Sequence, residues 1–236
     1  MPYKEFDVSG IGKIKIYKRR GTRSLRLTVA ADGAIRVSIP YWTPYQAGLA
    51  FTMARKAWIV AHSQTESSTL VNGMAVGKTR RLQLVPDNNV PSVKTSVRPT
   101  EVIITYNPSL SIDDPAVQTA AQSACWRALK SETVQLVTPR LNELAANFGF
   151  SYRSLNIKRM KSRWGSCDQR GNIVLNLFLV RLPWECIDYV ILHELTHTRA
   201  LHHGPDFWEK FEMVLPNARH MRKTMRNYRP VLMAQD

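Results

Sequence analysis

The chain has 236 residues, 44% hydrophobic and 22% charged, the profile of an ordinary globular protein with one large domain or two small ones. Lysine and arginine outnumber aspartate and glutamate by 33 to 18, giving a formal charge of +15 and a pI near 10.1, an excess that attracts polyanions without specifying a fold. No run approaches the ~18 apolar residues of a membrane span, no apolar segment follows the charges of the N-terminus, and Cys125, Cys167 and Cys186 form neither a disulfide framework nor a CxxC zinc site, so the expectation is a protein of the reducing cytoplasm with no membrane role.

Residues 1–110 read as a β-rich N-terminal region. IGKIKIYK (11–18) alternates apolar and polar residues as a half-buried strand does. SLRLTVA (24–30) continues the pattern, and AIRVSIP (34–40) repeats it after the turn signal Asp32-Gly33, which predicts a β-meander. Thr43-Pro44 has the form of an N-cap followed by proline at the first helical position, opening a helix over 44–62. Residues 63–76 suit a loop, RRLQLV (80–85) and EVIITY (101–106) two strands, and 93–97 a third. The turn-rich stretch Pro108 to Pro115 marks the boundary to a second domain at 111–236.

From Asp114 to about Asn147 the pattern is helical, with Pro139 placed to kink or split the helix and Gly149 placed to stop it. Residues 151–158 suit a strand and GNIVLNLFLV (171–180) a stronger one. Pro183 opens a helix to about Leu201, and 207–214 and 216–228 suit two more. The fold class is therefore α+β.

The chemistry concentrates in His193-Glu194-Leu195-Thr196-His197, an HExxH sequence, with His203 six residues beyond it. On a helix, positions four apart share a face, so the two imidazoles can grip one metal. Glu194 lies ~100° around the axis, near enough to act on water at the metal without being a ligand. Trp184, Ile187, Ile191 and Leu195 form the stripe that faces the core, turning the histidines towards a cleft. A catalytic Zn2+ takes three protein ligands plus water, and a carboxylate must move the proton from attacking water to leaving amine. His193, His197 and His203 as ligands with Glu194 as general base account for a peptidase. His202 is an alternative third ligand, and the competing reading makes His193 and His197 core histidines. His62 and His220 read as ordinary surface or structural residues. Phe207 and Trp208 are placed to pack beside the third ligand. The spacing departs from HExxHxxGxxH at Ala200.

SRWGSC (162–167), GNIVLN (171–176) and YVILHELTHTRALHHGPDFW (189–208) resemble the YgjP-like metallopeptidases, and the HExxH, third His and trailing Phe-Trp also resemble WLM-type proteases. SLRLTV (24–29) and Trp58-Ile59 extend the resemblance towards the N-terminus. It implies a zincin-like domain with an active helix beneath a small sheet, Zn2+ held by His193, His197 and His203, Glu194 as base, and a protein or peptide substrate lying along an edge strand, for which 171–176 is the nearest match. Arg163 and Asn176 are candidates to border the substrate, Arg163 as stabiliser of an oxyanion; the competing reading gives them structural bonds. Cys167 could line the site, or be a small buried hydrophobe.

Basic residues cluster at 13–26 (Lys13, Lys15, Lys18, Arg19, Arg20, Arg23, Arg26), at Lys158, Arg159, Lys161 and Arg163, and at Arg219, Arg222, Lys223, Arg226 and Arg229, the last five sharing one face if 216–229 is one helix. Together they make DNA a candidate partner; SprT-type relatives that cut DNA-attached proteins point the same way. The alternative function is a nucleic-acid-binding protein with a non-catalytic zinc site.

Overall fold

The computed structural model describes residues 3–29, 35–57, 59 and 69–232. The Asp32-Gly33 turn, Trp58 and His62 lie outside them. The chain divides into two compact units, Met1–Ser68 and Thr69–Asp236. The division falls after residue 68 and not at the expected 110/111 boundary. Burial gives the reason: Leu82, Leu84, Val102, Ile104 and Tyr106 share one core with Val117, Ala121 and Leu129 of the helix that follows. Strands that bury their apolar face on a helix belong to that helix's domain.

In the first unit, β1 (Tyr3–Val8), β2 (Gly12–Arg19), β3 (Arg26–Val29) and β4 (Ile35–Pro40) form one sheet in the order β1-β2-β4-β3. β2 and β4 run parallel, so the expected meander is interrupted. β4 carries Ile35, Val37 and Ile39, all buried, and takes an interior place; β3 stays at the edge. Helix α1 (Tyr45–Met53) packs on the apolar face, where a Cβ on Gly48 would meet Ile16 and Ile39 at 3.0 and 3.1 Å. Pro44 itself occupies the cap position, extended and without a side-chain bond, so Thr43 does not cap this helix.

In the second unit, β5 (Arg81–Pro86), β6 (Lys94–Val97) and β7 (Glu101–Tyr106) pair in the order β5-β7-β6. Helix α2 (Pro115–Asn147) begins where the Asp114 carboxylate accepts the Ala116 N–H. Pro139 does not split it. Gln135, whose carbonyl loses its helical partner, is exposed to water, while Val137 and Leu141 are buried on either side of the proline. The helix stops with Gly149 at φ 64° and the Phe150 N–H reaching back to Ala145, the reversed turn that glycine permits.

β8 (Ser154–Lys158), β9 (Gly165–Cys167) and β10 (Asn172–Asn176) form a second sheet in the order β8-β10-β9. The strand expected over 171–180 ends at Asn176, and Leu177–Arg181 is a 3-10 turn. Leu177, Phe178, Leu179 and Val180 are all buried, so the run has no solvent side for alternation to reveal. Three helices complete the unit: α3 (Trp184–Thr196), α4 (Pro205–Val214) and α5 (Ala218–Thr224). Among the described residues no helix is long and apolar enough to cross a membrane.

Glu132 fastens the first sheet of this unit to α2. Its carboxylate, 1% exposed, accepts the backbone N–H groups of Lys78 and Thr79 and the Arg80 guanidinium. Removing it would strand a buried cation and two donors. Glu132→Ala should lower unfolding stability by about 3–5 kcal/mol in urea titrations; a loss under ~1 kcal/mol would mean that water replaces the carboxylate.

Candidate metal centre

Helix α3 presents His193 and His197 one turn apart, and His203 sits between α3 and α4, two residues before Pro205. Ile187, Ile191 and Leu195 are fully buried, which fixes the helix phase. Trp184, placed on that stripe by periodicity, is instead 41% exposed, with the Lys78 ammonium 5.1 Å from its ring. Arg140 of α2 grips Asp188 of α3 through two hydrogen bonds of 2.8 and 2.6 Å. Arg199 ties the loop after α3 to the Gly149 carbonyl at the end of α2.

The three Nε2 atoms converge. His197 lies 3.2 Å from His193 and 3.1 Å from His203, and His203 lies 2.9 Å from His193. His203, not its neighbour His202, belongs to this group. Phe207, fully buried, forms the floor, its ring centroid 5.0, 4.6 and 4.8 Å from those of His193, His197 and His203. Trp208 meets Phe207 edge-on, and the guanidinium groups of Arg219 and Arg222 lie 5.3 and 5.1 Å from its ring. The five cations expected on one helical face therefore do not form one stripe: α5 ends at Thr224, short of Arg226 and Arg229.

Protonation follows from the neighbours. His197 Nδ1 is 3.0 Å from the Ala200 carbonyl, which can only accept, so the proton sits there and Nε2 carries a lone pair. Burial lowers His193 to about 3, helped by the charges of His197, His203 and Arg222, and burial also lowers His197 and His203. Three neutral imidazoles therefore point at one volume. Tetrahedral zinc with Zn–N bonds of ~2.0–2.1 Å sets its nitrogens about 3.3 Å apart, so the donor set fits a small divalent ion.

Glu194 is 5% exposed, and its Oε2 makes no hydrogen bond. Burial pushes the carboxyl up to about 8, against a smaller pull downward from Arg163. A Cβ on Gly165 would sit 2.6 Å from Glu194 Cγ and Oε1, so β9 approaches the acid as closely as a glycine allows. Residue spacing gives no signal for Gly165, because the closeness is tertiary. The expected edge strand 171–176 is not one: β10 is paired on both sides, the margins are β8 and β9, and β9 is the margin that lies against Glu194. Burial, then Glu194, push the Cys167 thiol up to about 11, which keeps it protonated at neutral pH.

Arg163 is exposed and acts on Glu194 through its charge. Asn176 is fully buried and has no amide group to offer a substrate. Its Nδ2 donates to the carbonyls of Met160 and Arg163 at 2.7 and 2.8 Å, and its Oδ1 accepts the Phe178 N–H. It clamps the segment leading into β9.

The chain belongs to the YgjP-like metallopeptidase family, whose domain it matches over residues 23–228. Two solved structures are similar over part of it. The metallopeptidase zymogen abylysin of Pyrococcus abyssi is 24% identical over 41% of this chain and 100% of its own, with a TM-score of 0.37. The metallopeptidase zymogen jannalysin of Methanocaldococcus jannaschii is 21% identical over 39% of this chain and 94% of its own, with a TM-score of 0.35. No curated protein matches the chain.

Asn176→Ala should cost about 1–3 kcal/mol and speed amide exchange through 160–164, read by mass spectrometry. Unchanged exchange there would show that the segment is held by other bonds.

Proposed function

We propose that this chain is a zinc-dependent peptidase in which His193, His197 and His203 hold the ion and Glu194 is the general base. The supporting observation is the convergence of three imidazole Nε2 atoms within 3.2 Å of one another, beside a buried carboxyl with a partnerless oxygen. An all-imidazole set suits zinc among the common divalent ions. A bound Zn2+ would supply the Lewis acidity that polarises a carbonyl and acidifies water.

The chain's own groups do the rest. Glu194, made more basic by burial, takes a proton from the attacking water and delivers it to the leaving amine. Gly165 leaves room for that carboxyl, and the outer edge of β9 offers backbone groups to an extended peptide. Arg163 is the cation available to a developing oxyanion. A purely structural zinc site would call for four protein ligands; the group among the described residues has three. DNA is a further proposed partner, favoured by the exposed cations Lys158, Arg159, Lys161 and Arg163 in the same unit as the histidines.

Glu194→Gln should keep one zinc per chain and lose casein hydrolysis by about 10²–10⁴-fold, whereas His193→Ala should lose the metal. Hydrolysis by Glu194→Gln at the wild-type rate would remove the base assignment. Acidity gives a second test. A histidine whose folded pKa is lowered stays neutral as pH falls below its ordinary 6.5, so protons compete weakly for these nitrogens. Zinc should survive dialysis at about pH 5.5, where a free imidazole is mostly protonated. Complete release by about pH 6 would contradict the buried, neutral triad.

A further inference from the structure

The apolar face of the β1-β2-β4-β3 sheet packs on α1, and alternation sends the intervening side chains to the opposite face. The pairing register sets them in rows across the strands. One row runs Tyr3, Tyr17, Ser38, Arg26; the next runs Glu5, Lys15, Arg36, Thr28; a third begins Asp7, Lys13. Along β2 the outward series is Lys13, Lys15, Tyr17, Arg19, at steps of about 7 Å. Lys13, Arg19, Arg26, Thr28 and Arg36 are exposed. Tyr3 is 51% exposed, and its ring centroid lies 5.4 Å from that of Tyr17. The Lys15 ammonium lies 5.6 Å from the Tyr3 ring and bonds Glu5 at 2.9 Å.

We propose that this open sheet face binds single-stranded DNA, with bases stacking on Tyr3 and Tyr17 and phosphates meeting Arg19, Arg26 and the other outward cations. The proposal rests on the DNA reading above and gives it a surface and a strand form; it uses none of the histidine geometry. Charge is the first argument. Five outward cations face two carboxylates, and both carboxylates stand on β1, leaving the outward positions of β2, β4 and β3 without an acid. The second is the ring pair, Tyr3 exposed and Tyr17 half-buried beside it: aromatics on the outer face of a sheet stack bases of any sequence, provided the bases are free of a duplex. An anionic membrane is disfavoured because surface insertion needs apolar side chains, and these rows hold no leucine, isoleucine, valine or phenylalanine.

The experiment is fluorescence anisotropy on the full chain with a labelled mixed-sequence strand of about 20 nucleotides, longer than the ~4–16 that one small binding fold covers. The single strand should bind at least ~tenfold more tightly than its duplex. Tyr3→Ala/Tyr17→Ala should weaken it at least ~tenfold, while Tyr3→Phe/Tyr17→Phe, which keeps the stacking faces, should restore it. Arg19→Gln/Arg26→Gln should flatten the salt dependence by about 1.4 in log–log slope, for two lost phosphate contacts. Wild-type affinity in both the tyrosine-to-alanine and the arginine variants, with binding lost instead in Lys158→Gln/Lys161→Gln, would overturn this surface and leave the DNA reading standing. Duplex bound as tightly as the strand would overturn the stacking role, and an RNA strand bound more tightly would overturn DNA as the source. Binding to phosphatidylserine vesicles that the tyrosine variant abolishes would reassign the face to membranes. No binding to any strand would overturn both this proposal and the DNA reading, and casein hydrolysis would still judge the peptidase.

Discussion

Ile187, Ile191 and Leu195 lie at zero exposure along one side of α3, and their burial fixes the rotational phase of that helix. Once the phase is set, His193 and His197 are committed to the opposite side, and the chain that returns from α3 brings His203 to them. Arg140–Asp188 and Arg199–Gly149 hold the two ends of this arrangement to α2. Phe207 then closes the floor with a ring that touches all three imidazoles and offers them no hydrogen bond. The three Nε2 atoms are left facing one another.

The same burial that fixes the helix sets the chemistry of its polar residues. Removing water from three imidazoles favours their neutral, metal-competent form. Removing it from Glu194 raises the proton affinity of the carboxyl, the property that general-base work requires. One cause thus lowers the histidines and raises the carboxyl. The backbone makes room for it: Gly165 can stand against the carboxyl because it has no side chain, and Asn176 keeps the segment before Gly165 in place.

The excess of positive charge divides by structural element. The cluster at 13–26 is sorted by strand alternation, with Lys13, Lys15, Arg19 and Arg26 on the open face and the Lys18 ammonium 5.1 Å from the Tyr45 ring on the helix side. The cluster after residue 216 stays exposed but splits by contact, with the Arg219 and Arg222 guanidinium groups 5.3 and 5.1 Å from the Trp208 ring and Arg219 also paired with Glu212. A cation's place in the sequence therefore says little about the partner it can reach.

Two members of the histidine group were legible in the sequence because their signal is local: a helix repeats every 3.6 residues, and HExxH needs only that repeat to bring two imidazoles and a carboxyl together. Three of the four strands of the first unit and the long helix were legible for the same reason, through alternation, a capping aspartate and a stopping glycine; β1 (Tyr3–Val8) was missed. What tertiary structure alone decided depended on contacts distant in sequence. It brought His203 and not His202 to the other two imidazoles, moved the domain boundary to 68/69, put β4 between β2 and β3, and placed 171–176 inside its sheet with Gly165–Cys167 at one margin. It also turned Asn176 from a candidate substrate contact into an internal clamp. Periodicity reports which side of an element is apolar, whereas the neighbour that covers that side is settled only when the whole core packs.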